Sequence, residues 1–240
     1  ASASDADSPV VSRVLATPAS ALSHSIALFV LSTAAVASIA AAPAPAILLG
    51  VRRLPVTWAR TAPDGWFAGP AQIQGVALSS DQGESWSVHG AVEAPHWALE
   101  NMILERADGR LWMLIRTGAG AIWESFSEDG GRTWSAAQPT PIVNPGVRFY
   151  IRRLESGRIL LINTPDPKRR CTLYAYLADD ENGICLARNG LLLDPRDGVS
   201  YPDAVQAPDG TIYAVHDCER YGAGEILLDV FHEAELPCTS

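Results

Sequence analysis

Short apolar runs alternate with polar, glycine-bearing turns along the second half of the chain. Runs 101–105 and 111–116 flank Ala107-Asp108-Gly109-Arg110, runs 149–154 and 159–163 flank Glu155-Ser156-Gly157-Arg158, and runs 204–206 and 212–216 flank Pro208-Asp209-Gly210-Thr211. Each run is too short for an ordinary amphipathic helix, and two such runs around a tight turn predict a β-hairpin. The three turn glycines stand 48 and 53 residues apart, so the hairpin recurs with a near-constant period.

A second pattern has the same period. Ser79-Ser80-Asp81-Gln82-Gly83-Glu84-Ser85-Trp86 and Ser127-Glu128-Asp129-Gly130-Gly131-Arg132-Thr133-Trp134 share the form Ser-x-Asp-x-Gly-x-(Ser/Thr)-Trp, with their aspartates 48 residues apart. The phrase predicts a turn between strands. A carboxylate accepts the backbone N–H groups that such a turn exposes, glycine supplies positive φ, and the indole is expected to bury itself under the loop. Asp129 follows Gly109 by 20 residues and Asp180 follows Gly157 by 23. In the third copy, Ala178-Asp179-Asp180-Glu181-Asn182-Gly183-Ile184-Cys185, only the aspartate survives of the defining residues. The unit is therefore hairpin, strand, Asp turn, strand. Four strands in about fifty residues predict an all-β protein built of propeller blades.

Composition narrows the partners. A net charge of -9 argues against nucleic acid, which needs concentrated Lys and Arg, but a local arginine cluster can still bind a small anion. Cys171, Cys185, Cys218 and Cys238 show neither metal-type spacing nor a dense disulfide framework, and no metal or cofactor motif is present. Residues 1–64 read as a leader, with a nearly uncharged apolar segment at 25–49. Ala35-Val36-Ala37 or Ala40-Ala41-Ala42 resembles a cleavage site, which predicts a secreted protein or, if segment 25–49 is retained, contact with a membrane. Without a functional signal, the protein would be cytoplasmic. Residues 65–240 are expected to form the propeller domain.

The candidate chemistry lies in charged residues at strand ends. Glu100 precedes one predicted strand and Arg116 ends the next, Arg169 and Arg170 precede the strand around 172–177, and Tyr201 stands in Val199-Ser200-Tyr201-Pro202-Asp203 just before another. Strand ends of successive blades can converge near a propeller axis. Here the text resembles the exo-α-sialidase family. The repeated phrase is similar to its Asp box, and Glu100, Arg116, Arg170 and Tyr201 occur in the family's order over roughly residues 65–235. The resemblance implies Tyr201 as nucleophile, Glu100 as its base, and Arg116 with Arg170 as ligands for the substrate carboxylate. Arginines fork onto carboxylates, and a neutral phenol avoids the repulsion that an anionic nucleophile would meet there.

The implied activity is retaining hydrolysis of terminal sialic acid from a sialoglycoconjugate, with no cofactor. The family also uses a first arginine and an acid/base aspartate on earlier blades. Only 99 residues precede Glu100, and Arg53-Leu54-Pro55, which imitates the first-arginine motif, stands 47 residues before it. A six-bladed ring needs about three hundred residues, so an incomplete sialidase-like β-propeller of three to four blades is expected. The alternatives are a non-catalytic carbohydrate-binding or scaffold propeller and a glycosidase for another acidic sugar.

Overall fold

The computed structural model describes residues 72–239, apart from His96, together with strand positions 13–14, 37–39 and 46–53. Its strands are β1 (Arg13–Val14), β2 (Ala37–Ile39), β3 (Ala46–Arg53), β4 (Gln72–Ser79), β5 (Ser87–Ala94), β6 (Ala98–Glu105), β7 (Leu111–Thr117), β8 (Ala121–Ser127) and β9 (Gln138–Val143). They continue as β10 (Tyr150–Arg153), β11 (Ile159–Asn163), β12 (Cys171–Ala178), β13 (Leu191–Asp197), β14 (Ser200–Gln206), β15 (Thr211–Cys218), β16 (Glu225–His232) and β17 (Cys238–Thr239). A helix, α1 (Glu181–Leu186), and a 3₁₀ turn at Glu233–Glu235 complete the described structure.

Consecutive strands form antiparallel sheets in the orders β2-β3-β4-β5, β6-β7-β8-β9, β10-β11-β12-β13 and β14-β15-β16, with β1 adding to the free side of β16 and β17 pairing in parallel with β12. The first strands of the later sheets sit together, β10 packing against both β6 and β14. This is the blade order that the repeats predict.

The middle strands explain why the hairpin runs read as continuous rather than alternating. All seven residues of β7 and all five of β11 are buried. A strand covered on both faces by neighbouring blades needs no polar face, whereas outer strands such as β5 and β9 alternate.

The first sheet begins earlier than expected. β3 pairs with β4 from Ile47↔Ser79 to Arg53↔Ile73, so a domain boundary at residue 65 falls inside this sheet. The end of apolar segment 25–49 and Arg53 are sheet residues. An apolar run of this composition suits a leader or a strand equally well, and only the long-range pairing distinguishes them. Ala37–Ile39 of the segment form β2, while residues 25–36 and 40–45, like Leu54 and Pro55, lie outside the described residues. No helix among the described residues is long and apolar enough to cross a membrane.

Both intact Asp turns form as expected. Asp129 accepts from the backbone N–H groups of Arg132 (3.0 Å) and Thr133 (2.9 Å) and from the Thr133 hydroxyl (2.6 Å), which hold its carboxyl down at about 2. Asp81 makes the corresponding bonds to Ser85. The third copy folds differently: Asp180 becomes the N-cap of α1, accepting from Gly183 N at 2.7 Å, and Ile184 fills the core.

The joints between blades use different chemistry. Trp134 donates to Gly131 O at 2.9 Å and lies on β5 of the preceding sheet, where a Cβ on Gly90 would stand 2.9 Å from its ring. Trp86 stays 43% exposed, contrary to the expected burial. At the next joint the worn turn has no tryptophan. Buried Glu181 there accepts from Ala107 N and pairs with Arg153, at 3.2 and 2.5 Å, and the same Arg153 nitrogen donates to Glu105 O at 3.0 Å. At the third joint, buried His216 of β15 lies between Asp194 of β13 (3.1 Å) and Asp229 of β16 (3.0 Å), and Arg196 bridges Asp194 to Glu225.

Two outcomes follow for stability. Gly90 has φ of +77°, so Gly90→Val both strains the backbone and displaces Trp134; chemical denaturation should show a loss of about 1–3 kcal/mol. Burial opposes protonation of His216, but Asp229 and Asp194 overcome it and raise its pKa. Its contribution is thus fully present below the unfolded-state value of about 6.5 and lost as pH rises through the higher folded value. Unfolding free energy measured across that interval should fall in the wild type, with a shallower slope in His216→Asn.

Candidate active site

Antiparallel alternation brings one end of each central strand to the same face. Glu100 lies near the start of β6, Arg116 near the end of β7, Tyr201 near the start of β14 and Asp217 near the end of β15, while Arg170 immediately precedes β12. The Asp turn after β8 is at the other end: Ser127 pairs with Leu111, beside the 106–110 hairpin turn. The repeated phrase therefore braces the face opposite the site.

The strand pairings are irregular beside Glu100, Arg170 and Tyr201. Register shifts occur between Ala98 and Asn101, around Glu100; between Cys171 and Leu173, next to Arg170; and between Ser200 and Asp203, around Tyr201. Thr172 and Tyr201 both have φ of 53°, a left-handed conformation costly for side chains of this size. Bulges re-aim side chains out of the ladder. Here they turn side chains at the blade ends toward one another.

Arg116 is the centre of the cluster, with its side chain only 4% exposed. Its Nε donates to Gly146 O at 2.7 Å, and Nη1 donates to Glu100 Oε2 at 2.7 Å and to Tyr201 Oη at 3.3 Å. Tyr201 Oη in turn donates to Glu100 Oε1 at 3.2 Å. Burial would raise the Glu100 pKa, but Arg116, the residue's own backbone N–H and the more distant Arg148 outweigh it, so the carboxylate is held below its usual range. An ionised acceptor thus faces a phenolic hydroxyl.

A tryptophan wedge supports the arginine. The Arg116 guanidinium lies 5.6 Å from the Trp97 ring, and that ring fills the space where Cβ atoms on Gly118 and Gly146 would stand, at 2.5 and 2.4 Å. Buried Asn144 holds the adjoining turn, its Oδ1 accepting from Gly146 N and Val147 N at 2.7 and 3.0 Å. The carbonyl that receives Arg116 is therefore fixed from both sides.

Arg170 joins the edge of this group. Its Nη1 donates to Ser200 Oγ at 3.3 Å, and burial together with the cations Arg116 and Arg220 lowers its pKa, against the pull of Tyr201 and Asp217. Arg169, its neighbour, instead pairs with Asp197 at the surface. Glu100, Arg116 and Tyr201 are thus in direct contact, with Arg170 linked to Tyr201's neighbour. Arg220 packs its guanidinium 3.9 Å from the Tyr201 ring centroid. Nothing in the sequence distinguishes Arg220, Trp97 or Asn144 beyond the glycines at 118 and 146. Among the described residues, no group of three or more His, Cys, Asp or Glu side chains is arranged to hold a metal ion.

Comparisons with known proteins agree with this architecture. The chain is 24% identical over 161 residues to an anhydrosialidase of Macrobdella decora, a match covering 60% of this chain and 21% of that protein. Among solved structures it resembles the intramolecular trans-sialidase of Ruminococcus gnavus, with a TM-score of 0.56, 22% identity, and coverage of 80% of this chain and 41% of that one. It also resembles the NanB sialidase of Streptococcus pneumoniae, with a TM-score of 0.60, 17% identity, and coverage of 84% and 31%. The chain thus spans about a fifth of the length of the curated relative and less than half of either structure. With the family model for the BNR repeat-like domain matching residues 56–214, and with sheets of sialidase-like propeller order, the chain belongs to the BNR repeat-like domain family.

Proposed function

We propose that this chain carries the nucleophile side of a retaining exo-α-sialidase site, acting on glycoconjugates that end in an acidic sugar. The observation that supports this most is the closed triangle of Tyr201, Glu100 and Arg116, joined by contacts of 3.2, 2.7 and 3.3 Å. A phenol is a poor nucleophile until its proton is removed, and an ionised carboxylate within hydrogen-bond reach can take it. Arg116 sits where it can favour both the ionised base and the developing phenoxide.

The substrate class follows from the same charges. A sialic acid bears a carboxylate on its anomeric carbon, next to the atom that Tyr201 would attack. Arg170 would supply guanidinium donors to that carboxylate, with the Arg116 cation beside it. The phenolic nucleophile approaches neutral, which avoids placing two anions at one carbon. Attack forms the bond between Tyr201 Oη and the anomeric carbon while the aglycone departs with the bonding pair and takes up a proton; water then releases the sugar with retained configuration.

A fluorogenic sialoside tests this reading. Tyr201→Phe should lower kcat at least about a thousandfold, because the attacking oxygen is gone. Unchanged turnover in that variant would exclude the tyrosine mechanism. Arg170→Ala should raise KM by about 10- to 100-fold. Binding of sialylated glycans without any turnover in the wild type would favour the non-catalytic carbohydrate-binding alternative. Gly146→Ala drives a Cβ into Trp97 and loosens the Arg116 anchor; it should cut kcat by about tenfold or more, read in the same assay.

A further inference from the structure

Tyr201 is contacted on its ring face as well as at its hydroxyl. The Arg220 guanidinium carbon lies 3.9 Å from the ring centroid, against 5.6 Å for Arg116. Arg220 is itself held in place. Its Nε donates to Asp217 Oδ2 at 2.7 Å and its Nη2 makes a second short contact to the same oxygen. Asp217 Oδ1 accepts from Ser200 Oγ at 2.5 Å, and Ser200 Oγ accepts from Arg170. The 219–224 turn that presents Arg220 is closed by Gly222 N and Gly224 N donating to Glu219 O.

The charged groups around the phenol are therefore Glu100 and Arg116 at its oxygen, Arg220 on its face, and Arg170 and Asp217 linked through the neighbouring Ser200. The face-on cation has a specific chemical consequence. A phenoxide delocalises negative charge into its ring, so a guanidinium stacked on that ring favours the anion more than the neutral ether. In a retaining sequence the phenoxide is the leaving group of the second step. We propose that Arg220 is a positioning residue for Tyr201 that stabilises this departing phenoxide and so sets the rate at which the covalent sugar–tyrosine intermediate breaks down. The kinetic part rests on Tyr201 being the nucleophile. In that step the oxygen of water bonds to the anomeric carbon and the bond from that carbon to Tyr201 Oη breaks, its electron pair going to Oη. Glu100 returns the proton it took earlier to Oη, and the surplus proton of the water passes to solvent.

Arg220→Gln and Arg220→Lys, compared with wild type and Tyr201→Phe, test the inference. With a fluorogenic sialoside, Arg220→Gln should lower kcat roughly tenfold with KM unchanged or lower. Intact-protein mass spectrometry of rapidly quenched turnover should show the sugar adduct accumulating, and Arg220→Lys should reverse part of both effects. An active wild type whose Arg220→Gln variant accumulates no adduct overturns the proposal. A wild type that forms no adduct and no product overturns the nucleophile reading instead. The positioning role then stands or falls on ligand-free protein carrying ¹³C-labelled tyrosine, with the Tyr201 ring resonance assigned by its loss in Tyr201→Phe. Because the guanidinium lies 3.9 Å from the ring centroid, Arg220→Gln should shift that resonance at neutral pH, with Arg220→Lys restoring part of the wild-type shift. An unshifted resonance overturns the role, and matching thermal unfolding of the variants excludes misfolding as the cause.

Discussion

A guanidinium withdrawn from water constrains everything around it. Arg116 is 3% exposed, and a cation so placed must be compensated by an anion and by acceptors of fixed geometry. Glu100 supplies the charge, Gly146 O and Tyr201 Oη take further donors, and Trp97 covers the remaining face. The requirement spreads outward. Trp97 fits only because residues 118 and 146 lack side chains, and Gly146 O faces Arg116 only because Asn144 closes the preceding turn. The same compensation that keeps Arg116 buried keeps Glu100 ionised beside a phenol, so structural and chemical demands coincide at one residue.

The blades meet through joints of different chemistry, and the differences follow local sequence. Where the Asp turn keeps its tryptophan, an indole lies on a glycine of the sheet before it. Where the turn has lost it, a short helix forms on the surviving aspartate, and Glu181 reaches back to a backbone N–H and an arginine. The last joint is a histidine between two carboxylates. Apolar packing is insensitive to pH, whereas the histidine joint depends on protonation. One architecture is therefore closed at each seam by whatever the local residues allow, since a blade buries its faces only against neighbours.

Much of the scaffold was legible in the sequence because its signals are local. Hairpin turns, buried middle strands and the Asp phrase each declare themselves within a few residues, and their common period gave the order of blades. The worn third copy was legible only in part: Asp180 kept its capping role, but the helix it caps was not expected, because the phrase predicts a strand-to-strand turn. The start of the first sheet was missed, since β3 is defined by pairing with residues some twenty-five positions later. Glu100, Arg116, Arg170 and Tyr201 were legible because they stand at strand ends in an order that resembles the exo-α-sialidase family. Arg220 and Trp97 were not, because no short-range pattern marks a stacking partner.

By itself, then, the sequence determined the all-β repeat and the strand order, because periodicity and turn chemistry act over short stretches of chain. The tertiary structure alone decided that Glu100, Arg116 and Tyr201 touch, that Arg220 covers the tyrosine ring, and that the Asp turns lie on the far face. Those facts depend on bulges whose effect on direction appears only once strands are paired, and on contacts between residues up to 101 positions apart.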